Sequence, residues 1–367
     1  IFKNAPKGKH MTKDKHDKRH FTRREFIKST AVGATVVYLA PSLAFGSDTG
    51  FNDIKSRVVN VFHPKLITLD DQIHAQSVRQ CVDETLLLLT QKKDIKDAWM
   101  QIFPDLKEKD TISLKVNCVN RKCPTHPQIT YAIAESMINS FGMNPNNIII
   151  WDRTTSELKK TGYTINETDK GIRCFGTVKS FSVPRWLINA NQDESDGIGY
   201  DKSQPIDVGN GETSHLSKIL TQMSTYMINV PVLKDHGKAG ITLSLKNHYG
   251  TIDNPHDLHA NYCDPFVGKI NAAPQIKEKT KLIICDAAFG IYKGGPLGAP
   301  QWKHNSILAS TDPVALDYTG MQIINAQRKK HNLDMVTQKA IHVKTAQTLG
   351  LGTSDPDKIL LKESVLS

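Results

Sequence analysis

The chain has no apolar run long enough to cross a bilayer. Ala31–Ala40 is well short of the roughly 20 residues a spanning helix needs. Cysteine is sparse: six in 367 residues do not make a disulfide scaffold. No three or four of them form the tight run that holds a ferredoxin cluster. The usual nucleophile motifs are missing, and Gly294-Gly295 is not a phosphate loop. Beyond residue 46 there is no internal repeat and no low-complexity segment. A basic folded domain is missing too, despite the net charge of +10. Ten of the 47 Lys and Arg and three of the 37 acidic residues precede residue 47, so 37 bases face 34 acids in the remainder. A surplus of three is no footprint for nucleic acid, and none is expected as a partner.

Residues 1–46 carry the surplus in a recognisable order. Thr22-Arg23-Arg24-Glu25-Phe26-Ile27-Lys28 precedes the apolar stretch, then Pro41, then Ala44-Phe45-Gly46. A charged segment, a short apolar segment and small residues form an export leader, and the arginine pair makes it a twin-arginine signal. Nothing polar interrupts the apolar stretch on a helical period, which argues against an amphipathic helix of the folded domain. Met11 is the expected start of the leader, with residues 1–10 upstream of it. The protein is therefore expected to be extracytoplasmic (periplasmic), with the twin-arginine machinery as a partner and membrane contact only through an uncleaved leader.

From residue 47 onward, short β-branched runs alternate with helical periods, which predicts an α/β fold with a mostly parallel sheet flanked by helices. Strands are expected at 58–62, 111–117, 148–152, 226–233, 282–286 and 306–310. Helices are expected at 70–90, 95–103, 127–141, 238–248, 313–328 and about 335–349. Residues 161–224 read as a loop-rich insertion within a single domain spanning 47–367.

Several apolar runs end in polar side chains. The first ends in Lys115, Asn117 and Cys118; the second in Asp152; the third in Lys234-Asp235-His236; the next in Asp286; the last leads to Ser310-Thr311-Asp312. In parallel sheets, ligands bind where the carboxyl ends of the strands converge. Asp312-Pro313 is a helix start, an N-cap followed by Pro at the first helical position. Asp152 and Asp286 either cap the next turn or face the site. Lys246 suits the last turn of a helix, which leaves Asn247 and His248 beside it unexplained. Lys115 alternates with an apolar strand face, where an ammonium is costly unless it reaches solvent or an anion. Lys115, Lys234 and Lys246 are expected to converge, and Lys115→Met is expected to leave the empty protein at least as stable.

Cys118 and Cys123 are separated by four residues, wider than most zinc knuckles, with no second Cys/His pair nearby. A disulfide or two free thiols is the better reading, and the other cysteines suit buried thiols. His126 before Pro127 opens a helix whose free N–H groups suit an anion.

Leu114-Lys115-Val116-Asn117, Thr125-His126-Pro127 and Asn229-Val230-Pro231-Val232-Leu233-Lys234-Asp235-His236 belong to one series. It continues with Gly240–Gly250, Cys285-Asp286-Ala287 and Ser310–Asp317. This series resembles the domain of unknown function 362 family over roughly residues 110–325. The resemblance implies an α/β domain, found in some members with ferredoxin modules or a twin-arginine leader, and it supplies no reaction. The ferredoxin cysteine runs of the fused members are missing here.

The expected function is binding of a small anionic ligand at the lysine-rich edge, with enzymatic activity left open. Lys115, Lys234, His236 and His248 are the catalytic candidates. Asn117, Asp235, Lys246, Asn247 and Asp286 are the ligand-binding ones. Any metal would draw on Cys118, His236 and Asp286, and the cofactor is unassigned, an iron–sulfur centre included. Two alternatives stand beside this: a redox accessory or metallocofactor-binding protein, and a non-catalytic partner of an exported complex.

Overall fold

The run Ile148-Ile149-Ile150-Trp151 shows how the sheet is covered. Ile148 and Ile150 join one apolar core, and Ile149 and Trp151 join a second on the opposite face. A strand buried on both faces belongs to a sheet with helices on both sides, and continuous β-branched runs rather than alternation are its mark. A computed structural model describes residues 55–180 and 196–367. The expected leader, residues 1–46, and the stretch 181–195 lie outside the described residues.

The strands are β1 (Ser56–Phe62), β2 (Ile112–Lys115), β3 (Ile148–Thr154), β4 (Arg173–Val178), β5 (Tyr200–Gly209) and β6 (Glu212–Ser217). They continue with β7 (Tyr226–Asn229), β8 (Val232–His236), β9 (Gly240–Ile241), β10 (Thr280–Ile291), β11 (Trp302–Ser310) and β12 (Ile359–Val365). The main sheet runs β12-β1-β11-β10-β7-β2-β3-β4, with β8 beside β10 and β9 beside β8. From β10 through β7, β2 and β3 to β4 every pairing is parallel. One core holds α1 (Ala75–Thr90), α2 (Ile95–Ile102) and α3 (Pro127–Phe141) against the sheet. The other holds α5 (Leu243–Asn247), α6 (Phe266–Ala272), α8 (Pro313–Lys330) and α9 (Ile341–Thr348). The short α4 (Thr155–Lys160) follows β3, and α7 (Pro274–Lys277) precedes β10. The fold is α/β, as the alternating pattern predicts.

Four expectations need correction. The strand expected at 226–233 is two strands, because Pro231 has no N–H for a ladder; its carbonyl instead accepts from Asp286 N at 2.8 Å. The helix expected at 238–248 shrinks to the five residues of α5. Gly240, at φ 76°, turns the chain so tightly that a Cβ there would lie 2.7 Å from the Val336 carbonyl oxygen. The strand expected at 306–310 is the end of β11, which runs antiparallel to β10. Ser310 and Asp312 therefore lie at the opposite end of the sheet from the other polar strand ends. There Asp312 caps α8, accepting from Val314 N and Ala315 N. The helix expected at about 335–349 is a short 3-10 turn, Val336–Gln338, followed by α9. Within the stretch read as a loop-rich insertion, β4 joins the main sheet and β5–β6 form a hairpin. β12, which no apolar pattern announces, pairs parallel with β1.

Candidate functional site

The parallel ladder sets the level at which polar groups emerge. Lys115 pairs with Trp151 on one side and Asn229 on the other, so β2, β3 and β7 deliver Lys115, Asp152 and Asn229 to one edge. β8 continues the path of β7 past Pro231 and adds Lys234 and His236, two residues apart and on one side of the strand. The helix α5 returns across this edge with Lys246 and Asn247. Its N-terminus is held by the buried carboxylate of Asp317, which accepts from Ser244 N at 2.7 Å and Leu245 N at 3.0 Å. Asp317 went unrecognised in the sequence because its partners are 72 and 73 residues away. Its burial pushes its pKa up to about 7.

Lys115 is fully buried, and its ammonium has an acceptor for each hydrogen. Asp152 Oδ1 lies at 2.7 Å, the Val116 carbonyl at 2.8 Å and the Asn247 carbonyl at 3.4 Å. Asp152 also accepts from Cys118 N at 2.6 Å and Arg153 N at 2.8 Å. Gly250 closes over the pair: a Cβ there would lie 2.7 Å from the Lys115 Nζ and 2.8 Å from Asp152 Oδ1. Lys115 thus ties β2, β3 and α5 together from inside, and nothing leaves it dependent on an external anion. Removing the ammonium leaves the Asp152 carboxylate buried without its cation, so Lys115→Met is expected to destabilise the protein, the reverse of the sequence expectation.

Lys234 is equally buried but donates to one acceptor, Asn117 Oδ1 at 2.6 Å. A relay of amides starts there. Asn117 Nδ2 donates to Asn247 Oδ1 at 2.9 Å, and Asn247 Nδ2 to Asn229 Oδ1 at 2.6 Å. Asn229 Nδ2 then donates to the Ser244 carbonyl at 2.9 Å and to His248 Nε2 at 3.3 Å. All three amides are oriented away from Lys234, so each polarises the next. Desolvation lowers the pKa of Lys234, with Cys123, Asp152, Cys118 and Asp286 pulling the other way. His248, its proton placed on Nδ1 by the Asn229 donor, has a pKa lowered to about 3 by burial and the Lys115 charge. Asn229 opens one of the segments that carry the family resemblance, but as a lone amide it was not among the expected site residues.

The third part is a cluster of bases. His236 Nδ1 accepts from Lys238 N at 3.1 Å and Ala239 N at 3.0 Å, which places the proton on Nε2. Its ring stacks on His259 at 5.7 Å, and the His259 Nε2 lies 3.3 Å from the Lys246 Nζ. The Lys246 ammonium sits 3.4 Å from the centre of the Tyr249 ring. His342 is fully buried with no hydrogen-bond partner on either ring nitrogen. Burial lowers the His236 pKa to about 2, helped by Lys246, His259, His342 and Lys234. His259 and His342 have no sequence signal, since their rings meet this edge only through tertiary packing. Beyond His259, Asn261, Tyr262 and Cys263 hold φ of 44°, 57° and 68°, three successive non-glycine residues in the left-handed region. Such strain concentrates at binding and switch segments.

The remaining expected residues are committed to other partners. Asp235 points away from Lys234 and accepts from Gly295 N at 2.7 Å, with Arg328 at 4.0 Å. Asp286 is buried against His126, whose Nδ1 lies 2.6 Å from Oδ2. Cys118, His236 and Asp286 are not drawn together, and among the described residues no three His, Cys, Asp or Glu side chains form a ligand group. All six cysteines are buried free thiols. Burial raises the Cys118 thiol pKa and pushes that of Cys123 up to about 12, so neither is a ready nucleophile.

Fold and edge together define an α/β protein whose parallel-strand ends hold a buried lysine–amide network beside a cluster of bases. A family model described as "Domain of unknown function (DUF362)" matches residues 112–322, more than half of the chain, and the chain belongs to that family. No curated protein matches it in sequence. Among solved structures it is similar to the crystal structure of a Thermotoga maritima protein from the Northeast Structural Genomics Consortium. The two share 12% identity and a TM-score of 0.30 over 65% of this chain and 58% of that one. The chain thus spans less than two thirds of that protein's length.

Proposed function

We propose that this is an exported protein that binds a small anion at the carboxyl edge of its parallel strands. The observation that carries the reading is the base cluster. His236, His259, His342 and Lys246 meet with Lys234 nearby. Burial, helped by the neighbouring ammonium groups, holds the imidazoles neutral, and an anion drawn to Lys246 and Lys234 would favour their protonated, hydrogen-bonding form. In this reading His236 Nε2–H and the Lys246 ammonium contact the ligand. Lys234, Asn117 and Asn247 orient it through the amide relay, His248 ends that relay, and Lys115 is the internal brace. Export rests on the leader sequence.

Isothermal titration with sulfate, phosphate and oxalate tests the reading, with Lys246→Met and His236→Gln as variants. The expected result is saturable binding of at least one anion by the wild type and its loss in both variants, each still folded by circular dichroism. Equal affinity in the variants, or no binding of any of the three anions, would count against it.

A further inference from the structure

The His126–Asp286 pair at the same edge has the geometry of a base held by an orienting carboxylate. Asp286, on β10, has no exposed side-chain surface. It is clamped by two backbone donors, His126 N at 2.8 Å to Oδ2 and Ala288 N at 3.1 Å to Oδ1. On Oδ2 it also receives His126 Nδ1 at 2.6 Å. With Nδ1 committed to the carboxylate, Nε2 is the nitrogen left for chemistry. The His126 side chain keeps 19% of its surface exposed, so the ring is accessible to small molecules. Phe289 tilts against the ring at 5.6 Å and limits its rotation. Asn117 N donates to Thr125 Oγ1 at 2.9 Å, which couples this segment to the amide relay.

The other histidines of the edge lack this combination. His248 and His342 are buried, His236 Nδ1 faces the backbone N–H groups of Lys238 and Ala239, and His259 Nδ1 faces the His256 carbonyl. The pair His215–Asp253 is similar in outline at 2.8 Å, but its carboxylate is shared with Lys202 and Ser214 and lies on the β5–β6 side. Burial opposes the charged form of His126, yet the charge and hydrogen bond of Asp286 outweigh it and raise its pKa above the ordinary value.

We infer that His126 and Asp286 form a proton-transfer dyad, with His126 Nε2 taking a proton from the bound ligand or returning one to it. Asp286 acts through His126: it fixes the tautomer and orientation and stabilises the imidazolium formed when Nε2 gains a proton. The inference rests on the edge being a ligand site, but its test does not require the anion.

p-Nitrophenyl acetate probes a competent imidazole directly. The Nε2 lone pair attacks the acetyl carbon and p-nitrophenolate leaves with the bonding electrons. Water then cleaves the acetyl-imidazolium to acetate and the neutral imidazole, its two protons passing to buffer. The expected result is hydrolysis above the buffer rate, with that excess lowered about tenfold or more by His126→Gln and by Asp286→Asn, and unchanged by His215→Gln. A wild-type rate in His126→Gln would overturn the dyad. A second measurement needs no variant: a far-downfield Hδ1 proton signal, with Nε2 showing the nitrogen shift of an unprotonated ring atom, is expected for His126 at alkaline pH. The opposite tautomer would overturn it as well. If sulfate, phosphate and oxalate all fail to bind while the ester result holds, the anion reading falls and the dyad stands.

Discussion

Replacing Lys115 with Met keeps most of the length of the side chain and removes its charge, leaving the buried Asp152 carboxyl without its cation. The carboxylate would keep Cys118 N and Arg153 N as donors but lose the ammonium at 2.7 Å. Removing one member of a buried ion pair costs about 3–5 kcal/mol, because the remaining charge is neither solvated nor paired. Two carbonyls, those of Val116 and Asn247, also lose a charged donor. Against a total stability of about 5–15 kcal/mol, this is a large fraction. At about 2 °C per kcal/mol, the melting temperature should fall by roughly 6–10 °C. Urea unfolding followed by tryptophan fluorescence suits the measurement, since Trp151 lies 5.6 Å from the Lys115 ammonium. Lys115→Met combined with Asp152→Asn should recover part of the loss, because the uncompensated charge is gone. Wild-type stability of the single variant, or a double variant no more stable than the single one, would refute the account of Lys115 as an internal brace.

Gly250→Ala should destabilise by about 1–3 kcal/mol, since its Cβ would press on the same ion pair at 2.7 Å and 2.8 Å; an unchanged urea midpoint would contradict this. Acid should also weaken the protein. His236, His248 and His342 have folded pKa values lowered to about 2, 3 and 3, so between pH 7.5 and 5.5 the unfolded chain gains protons that the folded one does not. Each contributes about 1.4 kcal/mol of lost stability, against which Asp317, raised to about 7, returns about 2 kcal/mol, and His126 and Asp235, both raised, act in the same direction as Asp317. Urea midpoints across that range should fall in the wild type and fall less in His342→Leu; equal slopes would contradict the assignment. Replacing Arg23 and Arg24 with Lys should leave precursor in the cytoplasm on fractionation, and undiminished export would defeat the leader assignment.

What was legible in the sequence was whatever depends on local order. The α/β alternation follows from side-chain periods of 2 and 3.6 along a single strand or helix. Asp312-Pro313 announced a helix start because capping involves neighbours two and three residues away. The ends of β2 and β3, Lys115 and Asp152, could be read as neighbours because parallel strands share a direction, whereas β10 runs on past Asp286 to Ile291. Tertiary structure alone decided the rest. β11 was misplaced because strand direction depends on the partner strand, which no local pattern names. Lys115 read as a ligand residue because its partners, Asp152 and Asn247, are 37 and 132 residues away. His126 found Asp286 across 160 residues. An ionisable side chain in an apolar run shows only that a partner must exist. Whether that partner is a carboxylate of the same chain, as for Lys115, or a group from outside is settled by packing, where desolvation makes an unpaired charge too costly to leave.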